Sequence, residues 1–530
     1  MTYNLLEEAW IPVIRADQSR DCIAPWQIAE TDNPVIELAA PRPDFNGTLM
    51  QFLIGLLQTA HAPKNSILWS RGLETPPNPE VLRETFARYR HAFNLDGDGS
   101  RFMQDLDPLN EQQPLPMTAL LIDTAGSETH FIKNLPEQGL SPALAAMALY
   151  TLQTNAPSGG AGHRTSLRGG GPLTTLVMAQ PTEAGPPVPL WQTLWINVLP
   201  AAAFASDLEA DADIFPWLAP TRVSDKTSKT PMTTPAEVNP LQAFWGMPRR
   251  IRLDFEQVGK GECGLSGVYS NILVRYYRTR NYGVNYGGNW EHSLSPHNRG
   301  IAEIIPLHPR GAIQYRHWLG LVQEIKDRKS QRVPARVVTR FRVESLDEKK
   351  NLRLRLWAFG FDMDNMKPRG WYEGTLPLFH IDDLETRQRF EATSENLVKA
   401  ADEFLGNLRS CLKAAWFDPD DPRSKSTDSK PFQFLDAAFW ADTEGDFYAL
   451  LERLLSSPND AVLRQQVYRD WHQSLHQYTL RTFHRQANTS AIAEQNPRRI
   501  AQAFRKLKSF NHKKQIKILL EMPSKSPNTP

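Results

Sequence analysis

Cysteine is scarce in this sequence. Cys22, Cys263 and Cys411 stand far apart and form no CxxC pair. That excludes a disulfide framework as the basis of the fold, argues against a cysteine-rich zinc site, and fits a reducing, cytoplasmic setting. A surplus of charge is missing too: 60 Lys and Arg oppose 59 Asp and Glu, leaving +1. The chain is not a polycation, so any role with nucleic acid must come from where the charges sit. Long apolar runs are absent. The richest stretches, 144–152 and 194–204, fall well short of the roughly 18 residues a membrane-spanning helix needs. The opening MTYNLLEEAWIPV carries acids early and no basic stretch ahead of an apolar core, so no secretory leader is expected.

Most enzyme signatures are also missing. There is no GxxxxGK[ST] phosphate loop, no HExxH zinc helix, no GxSxG elbow and no EF-hand loop. His472 and His476, four apart, share one helix face, but the neighbouring sequence supplies no third ligand, so a metal there is not expected. No cofactor is expected.

What is present is length and punctuation. A chain of 530 residues with 41 prolines implies several domains joined by ordered loops. Short strands are expected at Trp10–Val13 and Val35–Leu38. An apolar stripe of Leu49, Phe52, Leu53, Leu56 and Leu57 predicts a helix from Pro43 to Pro63. Further helices are expected at 81–93 and 141–154. Arg249–Phe255, Ile272–Tyr277 and Leu352–Phe361 alternate as half-buried strands do. Thr221–Pro235 reads as a polar surface loop.

From Thr386 the pattern changes to four helical stretches, 386–416, 433–456, 460–487 and 496–520, as in a four-helix bundle. The expected fold is α+β: a mixed domain over 1–380, a four-helix bundle over 386–520, and a disordered tail from 521 to 530. From Arg464 onward, thirteen Lys or Arg face three Asp or Glu, a local +10. A basic helix end of this kind suits a phosphate backbone, although a solvated face would look the same.

The most unusual stretch is NAPSGGAGHRTSLRGGGPLTT, residues 155–175. Its glycines permit positive φ and let bare backbone approach a ligand closely. Arg164 and Arg168 place positive charge beside it. A flat glycine loop is one of the few protein shapes able to lie in a DNA minor groove. A basic and aromatic patch, Arg275–Tyr282, would set Arg278 and Arg280 outward on one face; a charged edge strand fits the same pattern. Phe359–Pro368 reads as a protruding hairpin whose tip, Asn365 or Met366, could wedge between base pairs.

Taken together, YNLLEEAWIPV, APRPDFNGTLMQFLIGLLQTAHAP, RFMQ, NAPSGGAGHRTSLRGGGPLTTLV and WAFGFDMDNMKPRGWYE resemble, in order and spacing, the CasA-type large subunits of type I-E CRISPR Cascade. That resemblance implies a non-catalytic subunit partnered by other Cascade proteins and a guide RNA. It implies that the subunit reads a short motif in double-stranded target DNA, starts duplex opening, and helps recruit a helicase-nuclease. It places the glycine loop at Ser158, Gly159, Gly160, Ala161 and Gly162, and a basic finger at Arg278 or Arg280, arginine where the family has lysine. The wedge falls on Asp364, Asn365 and Met366, without the family's glutamine. A loop with Phe131, Lys133 and Asn134 resembles the one that docks beside the guide RNA's 5′ end. Arg498, Arg499, Arg505 and Lys506 resemble the surface that guides the displaced strand. Some relatives cluster cysteines where this chain has Cys263 alone, so no structural zinc is expected. A metal-dependent nuclease using His163 and a scaffold that binds only protein are the competing readings.

Overall fold

A computed structural model of the chain describes residues 2–124, 139–160, 162–181, 185–228, 232–300, 303–326, 331–343, 353–364, 367–425, 432–487 and 496–523. It is a mixed α+β protein with a helical C-terminal region. Two compact units share the chain. One comprises Met1–Ile313, Glu324–Phe341 and Leu346–Leu378; the other comprises Gln314–Gln323, Arg342–Ser345 and Phe379–Pro530.

The first unit is built around the helix Pro43–Ala60. Proline in its first turn needs no amide partner, and Asp44 beside it favours the positive end of the helix dipole. Asp44 is buried against Arg42, 2.9 Å away. Every residue from Gly47 to Gln58 is buried, because Phe52 lies at the centre of an aromatic cluster. Trp10, Phe93, Phe102, Tyr150 and Trp245 meet its ring edge-on at centroid distances of 5.3–6.0 Å. The expected helix over 81–93 forms as Pro79–Ala87 followed by a short turn at Arg90–Ala92, with Leu82, Phe86, Tyr89 and Phe93 buried. The 141–154 helix forms as Pro142–Asn155, its amide of Leu144 capped by Ser141.

Three antiparallel sheets in this unit have three strands each. Ile11–Arg15 lies between Arg20–Ile23 and Val35–Leu38. Arg353–Asp364 lies between Thr174–Gln180 and Lys367–Pro377. Alternation holds along this central strand only to Trp357; Ala358–Asp362 are buried on both faces. Phe359 packs on Gly47 of the central helix, and on the other face a Cβ on Gly360 would lie 2.6 Å from Pro172 O. The third sheet corrects an expectation. Ile272–Tyr277 is not one strand, because the chain changes partners at Arg275. Tyr269–Val274 pairs with Val258–Glu262, and Tyr276–Arg280 pairs with Arg250–Leu253 and Leu115–Pro116. Tyr276 and Tyr277 are therefore flanked on both sides, while Arg278–Arg280 pair only with the strand Arg250–Leu253.

In the second unit the helices Leu384–Trp416 and Ala461–Ala487 run 33 and 27 residues. Val467, Trp471, Leu475 and Tyr478 form the buried face that their spacing predicts. Trp471 Nε1 donates to Leu397 O at 2.9 Å. Two expected helices each divide. The 433–456 stretch splits into Gln433–Asp442 and Glu444–Ser456 at buried Thr443, whose hydroxyl lies 2.8 Å from Tyr315 OH. The 496–520 stretch splits into Pro497–Phe510 and Lys514–Leu519. At that break His472 Nε2 donates to the Asn511 carbonyl at 2.9 Å, a group that a continuous helix would have used internally.

Candidate nucleic-acid interface

The glycine segment leaves the helix Pro142–Asn155 and returns to it. Gly171 N donates to Asn155 O at 3.1 Å, and Ser166 N donates to Ala156 O at 3.0 Å. These bonds close a loop whose tip is bare. Ser158, Gly159 and Gly160 are exposed; Gly160 has φ +62° and nothing within 4 Å of where a Cβ would stand. Ala161 lies outside the described residues. Gly162, at φ +85°, is boxed in, since a Cβ there would come within 2.6 Å of the Tyr282 ring.

The base of the loop is held by arginines. Arg164 donates to Ser224 Oγ at 2.8 Å and to Ser224 O at 2.7 Å, and Arg249 donates to Pro157 O. Arg168 corrects an expectation. It is only 3% exposed and places no charge on the surface. Its guanidinium donates to Thr174 Oγ1 and Ser295 Oγ, both at 2.9 Å, and to Gln51 Oε1. Burial pushes its pKa down to about 10, so it stays charged near neutrality and fixes the segment from beneath. His163, the residue of the competing nuclease reading, is held below its ordinary pKa by burial and by Arg249.

The two candidate finger residues behave differently. Arg278 does not reach outward: it is 20% exposed and bonds Asp254, itself buried, at 3.0 Å. Arg280 ends the strand, is 52% exposed, and has Asp107 only at 3.8 Å. An exposed pair at that distance is weak, which leaves Arg280 available to an anion. Two residues on, Tyr282 N donates to Gly162 O at 2.9 Å. The strand end carrying Arg280 and the glycine loop are thereby tied together.

The expected hairpin is present. Asp364 pairs with Lys367 at its end, and Asp364 is exposed near Arg369, 3.9 Å away. Asn365 and Met366 lie outside the described residues, as do Phe131, Lys133 and Asn134. The root of this hairpin packs on the glycine segment: a Cβ on Gly171 would lie 2.6 Å from Phe361 O and 2.9 Å from Met363 Cγ. Beyond it, the segment runs directly into the strand Thr174–Gln180, which pairs with the hairpin. Glycine loop, Arg280 and hairpin are therefore parts of one assembly in the first unit.

The basic residues of the second unit divide as well. Arg498, Arg505 and Lys506 are exposed, with Lys506 Nζ 5.1 Å from the Phe510 ring. Arg499 is committed to structure. It donates to Ala415 O and Trp416 O, each at 3.0 Å, and so caps the C-terminus of the helix Leu384–Trp416. Sequence reasoning missed a third histidine. His512 sits at the helix break with its ring 4.8 Å from His472 and 5.0 Å from His476. Asn511 occupies one nitrogen of each of those two rings, at 2.9 and 3.2 Å. Among the described residues no group of three His, Cys, Asp or Glu is arranged to hold a metal ion. Nothing in the spacing signals Ser224 or Asp254 as anchors; both become visible only through pairing.

Known proteins share this architecture. The family model of CRISPR-associated protein Cse1 matches residues 4–482. CRISPR-associated protein CasA/Cse1 of Thermus thermophilus is 28% identical over 165 residues, 30% of this chain and about a third of that protein's length, 32%. The solved structure of Thermus thermophilus CasA (Cse1) superposes with a TM-score of 0.67 at 19% identity, covering 98% of this chain and 99% of that one. Thermobifida fusca Cse1 gives 0.66 at 16%, covering 99% of each. A chain of a CRISPR RNA-guided surveillance complex gives 0.68 at 14%, covering 97% of this chain and 100% of its own. At these identities the likeness to solved structures is one of fold.

Proposed function

This chain belongs to the CRISPR-associated protein Cse1 family, and from that premise we propose that it is the large, non-catalytic subunit of a type I-E Cascade surveillance complex, reading a short flanking motif in target DNA from the minor groove. The observation that carries this reading is the exposed tip at Gly159 and Gly160, bare backbone on a rigid base. The minor groove is narrow, and backbone N–H and C=O groups on an uncovered glycine tip can approach its base edges closely. Minor-groove patterns are degenerate, so several motifs should be tolerated.

Arg280, tied to the loop through Tyr282, would hold a phosphate and set the register. The hairpin ending in Asp364, Asn365 and Met366 would enter the adjacent base step and lower the cost of opening it. Guide RNA pairing then reads the sequence. By the same reading, Phe131, Lys133 and Asn134 dock the subunit beside the guide's 5′ end. The C-terminal helices act as a four-helix bundle whose Arg498, Arg505 and Lys506 steer the displaced strand; Arg499 supports them as a cap. The complex would work in the cytoplasm and hand its target to a separate helicase-nuclease.

The test is duplex binding by the guide-RNA complex assembled with and without this chain, on DNA carrying a randomised flanking motif. Tight binding that appears only with the chain and only on some motifs supports the reading. Equal binding on all motifs would leave a scaffold.

A further inference from the structure

Beside the glycine loop lies a cleft of about 990 Å³, at the upper end of the 300–1,000 Å³ typical of ligand sites. One wall is the polar segment Thr221–Ser228; the other is the strand end Thr279–Tyr282. The walls are the same elements that anchor the loop. Ser224 takes Arg164, and Tyr282 takes Gly162.

Its chemistry is that of a sugar–phosphate contact. Arg222 and Arg280 line it, and both are loosely paired: Arg222 donates to Glu237 O at 3.5 Å with the Glu237 carboxylate 4.0 Å away, and Asp107 stands 3.8 Å from Arg280. A third arginine in the wall, Arg250, is neutralised by Asp105 and by Asp107 at 3.4 Å. The Thr221 hydroxyl is buried and has no hydrogen-bond partner among the described residues. An orphaned donor of this kind costs about 1–3 kcal/mol unless something else satisfies it. The single acid, Asp225, spends one oxygen on Thr227, accepting from its amide at 2.9 Å and its hydroxyl at 2.7 Å. Its carboxyl is held below its ordinary pKa by these hydrogen bonds first and by Arg280 among the neighbouring charges, so it stays charged and disfavours a free polyanion entering the cleft.

We propose that this cleft seats a single phosphate of the flanking duplex, with Arg222 and Arg280 as its cations and the Thr221 hydroxyl as a donor. The proposal rests on the duplex-reading function above and gives the phosphate assigned there to Arg280 two further partners, Arg222 and Thr221. A phosphate held here and a groove facing Gly160 would belong to one stretch of duplex, because the segments that wall the cleft also anchor the loop. The contact carries no base information; it fixes register.

The experiment uses the assembled guide-RNA complex with the wild-type chain, Arg222→Gln or Thr221→Val, and motif-bearing duplexes each with one methylphosphonate at a different position. Arg222 is exposed and Thr221→Val keeps shape, so both variants should fold. The wild type should lose about 10-fold in affinity at one methylphosphonate position, and Arg222→Gln should lose about as much on unmodified DNA with a salt slope lower by about 1. The two changes together should cost no more than either alone. Thr221→Val should lose about 3-fold. Normal binding by Arg222→Gln, or losses that simply add at every position, would overturn the assignment while leaving motif reading intact. Failure of Arg222→Gln to join the complex would mean that the cleft faces a partner subunit, and would overturn it too. A wild-type complex with no motif dependence would remove the parent reading and this one with it.

Discussion

The two ends of the glycine segment have nearly the same composition and opposite surroundings. At Ser158–Gly160 the chain is exposed, and Gly160 has open space around it. At Gly169–Gly171 every glycine is boxed in. A Cβ would meet His308 at 2.9 Å from Gly169, the Pro157 backbone at 3.0 Å from Gly170, and Phe361 O at 2.6 Å from Gly171. The first end leaves its tip uncovered; the second lets three chain segments approach one another. Glycine content alone does not separate these uses, and the arginines beside them follow the same division. Arg168 is buried as a strut, whereas Arg280 is exposed and only loosely paired with Asp107 at 3.8 Å.

The sharpest way to break this comparison is to fill the boxed end. Gly171→Ala combines positive φ with a clash against backbone and should cost about 2–5 kcal/mol. Hydrogen exchange in Thr174–Gln180 should rise accordingly, and DNA binding should fall only as the fold does. Arg168→Met should cost about 2–3 kcal/mol, because it strands the acceptors on Gln51 and Ser295. The salt dependence of DNA binding by the surviving folded protein should not change.

Acid should act on the second unit with a smaller effect. His472 and His476 are held below the ordinary histidine value by burial first and by His512 among the neighbouring charges. The unfolded chain therefore binds protons that the folded one refuses. Stability from these two groups is complete above about pH 6.5 and falls as pH drops below it, by at most about 1.4 kcal/mol per pH unit for His472 and by less for the more solvent-screened His476. Exchange in Ala461–Ala487 measured from pH 7 to pH 5 should show this loss, and His476→Gln should reduce it. The smallest contrast is between neighbours on one helix. Arg499→Ala should cost about 1 kcal/mol through its lost cap, while Arg505→Ala should leave stability within about 0.5 kcal/mol and weaken only displaced-strand binding.

Much of the fold was legible in the sequence where the signal is local. The stripe through Phe52, the face of Val467, Trp471, Leu475 and Tyr478, and the hairpin ending at Asp364 all come from periodicity. The loop at Gly160 comes from composition, and the family from the motifs around it. What escaped depends on residues distant in the chain. Thr443 breaks a helix where Tyr315, 128 residues away, meets its hydroxyl. Tyr276 and Tyr277 are covered on their open side by the two-residue strand Leu115–Pro116, more than 150 residues earlier in the chain. Arg168 reads as a surface charge until Gln51, Thr174 and Ser295 close around it. His512 joins His472 and His476 only because the chain turns at Asn511.

The most direct test of DNA reading is made at the bare tip itself. Complexes carrying wild type, Gly160→Asn or Gly160→Asp are compared on duplexes with and without the flanking motif. Asn and Asp both tolerate positive φ, so the thermal midpoint should change little. Affinity for the motif-bearing duplex should fall about 10-fold for Asn and about 100-fold for Asp, whose charge faces the groove, while binding to motif-free DNA stays nearly constant. If both variants bind the motif as wild type does, the glycine tip does not read DNA and the central claim fails.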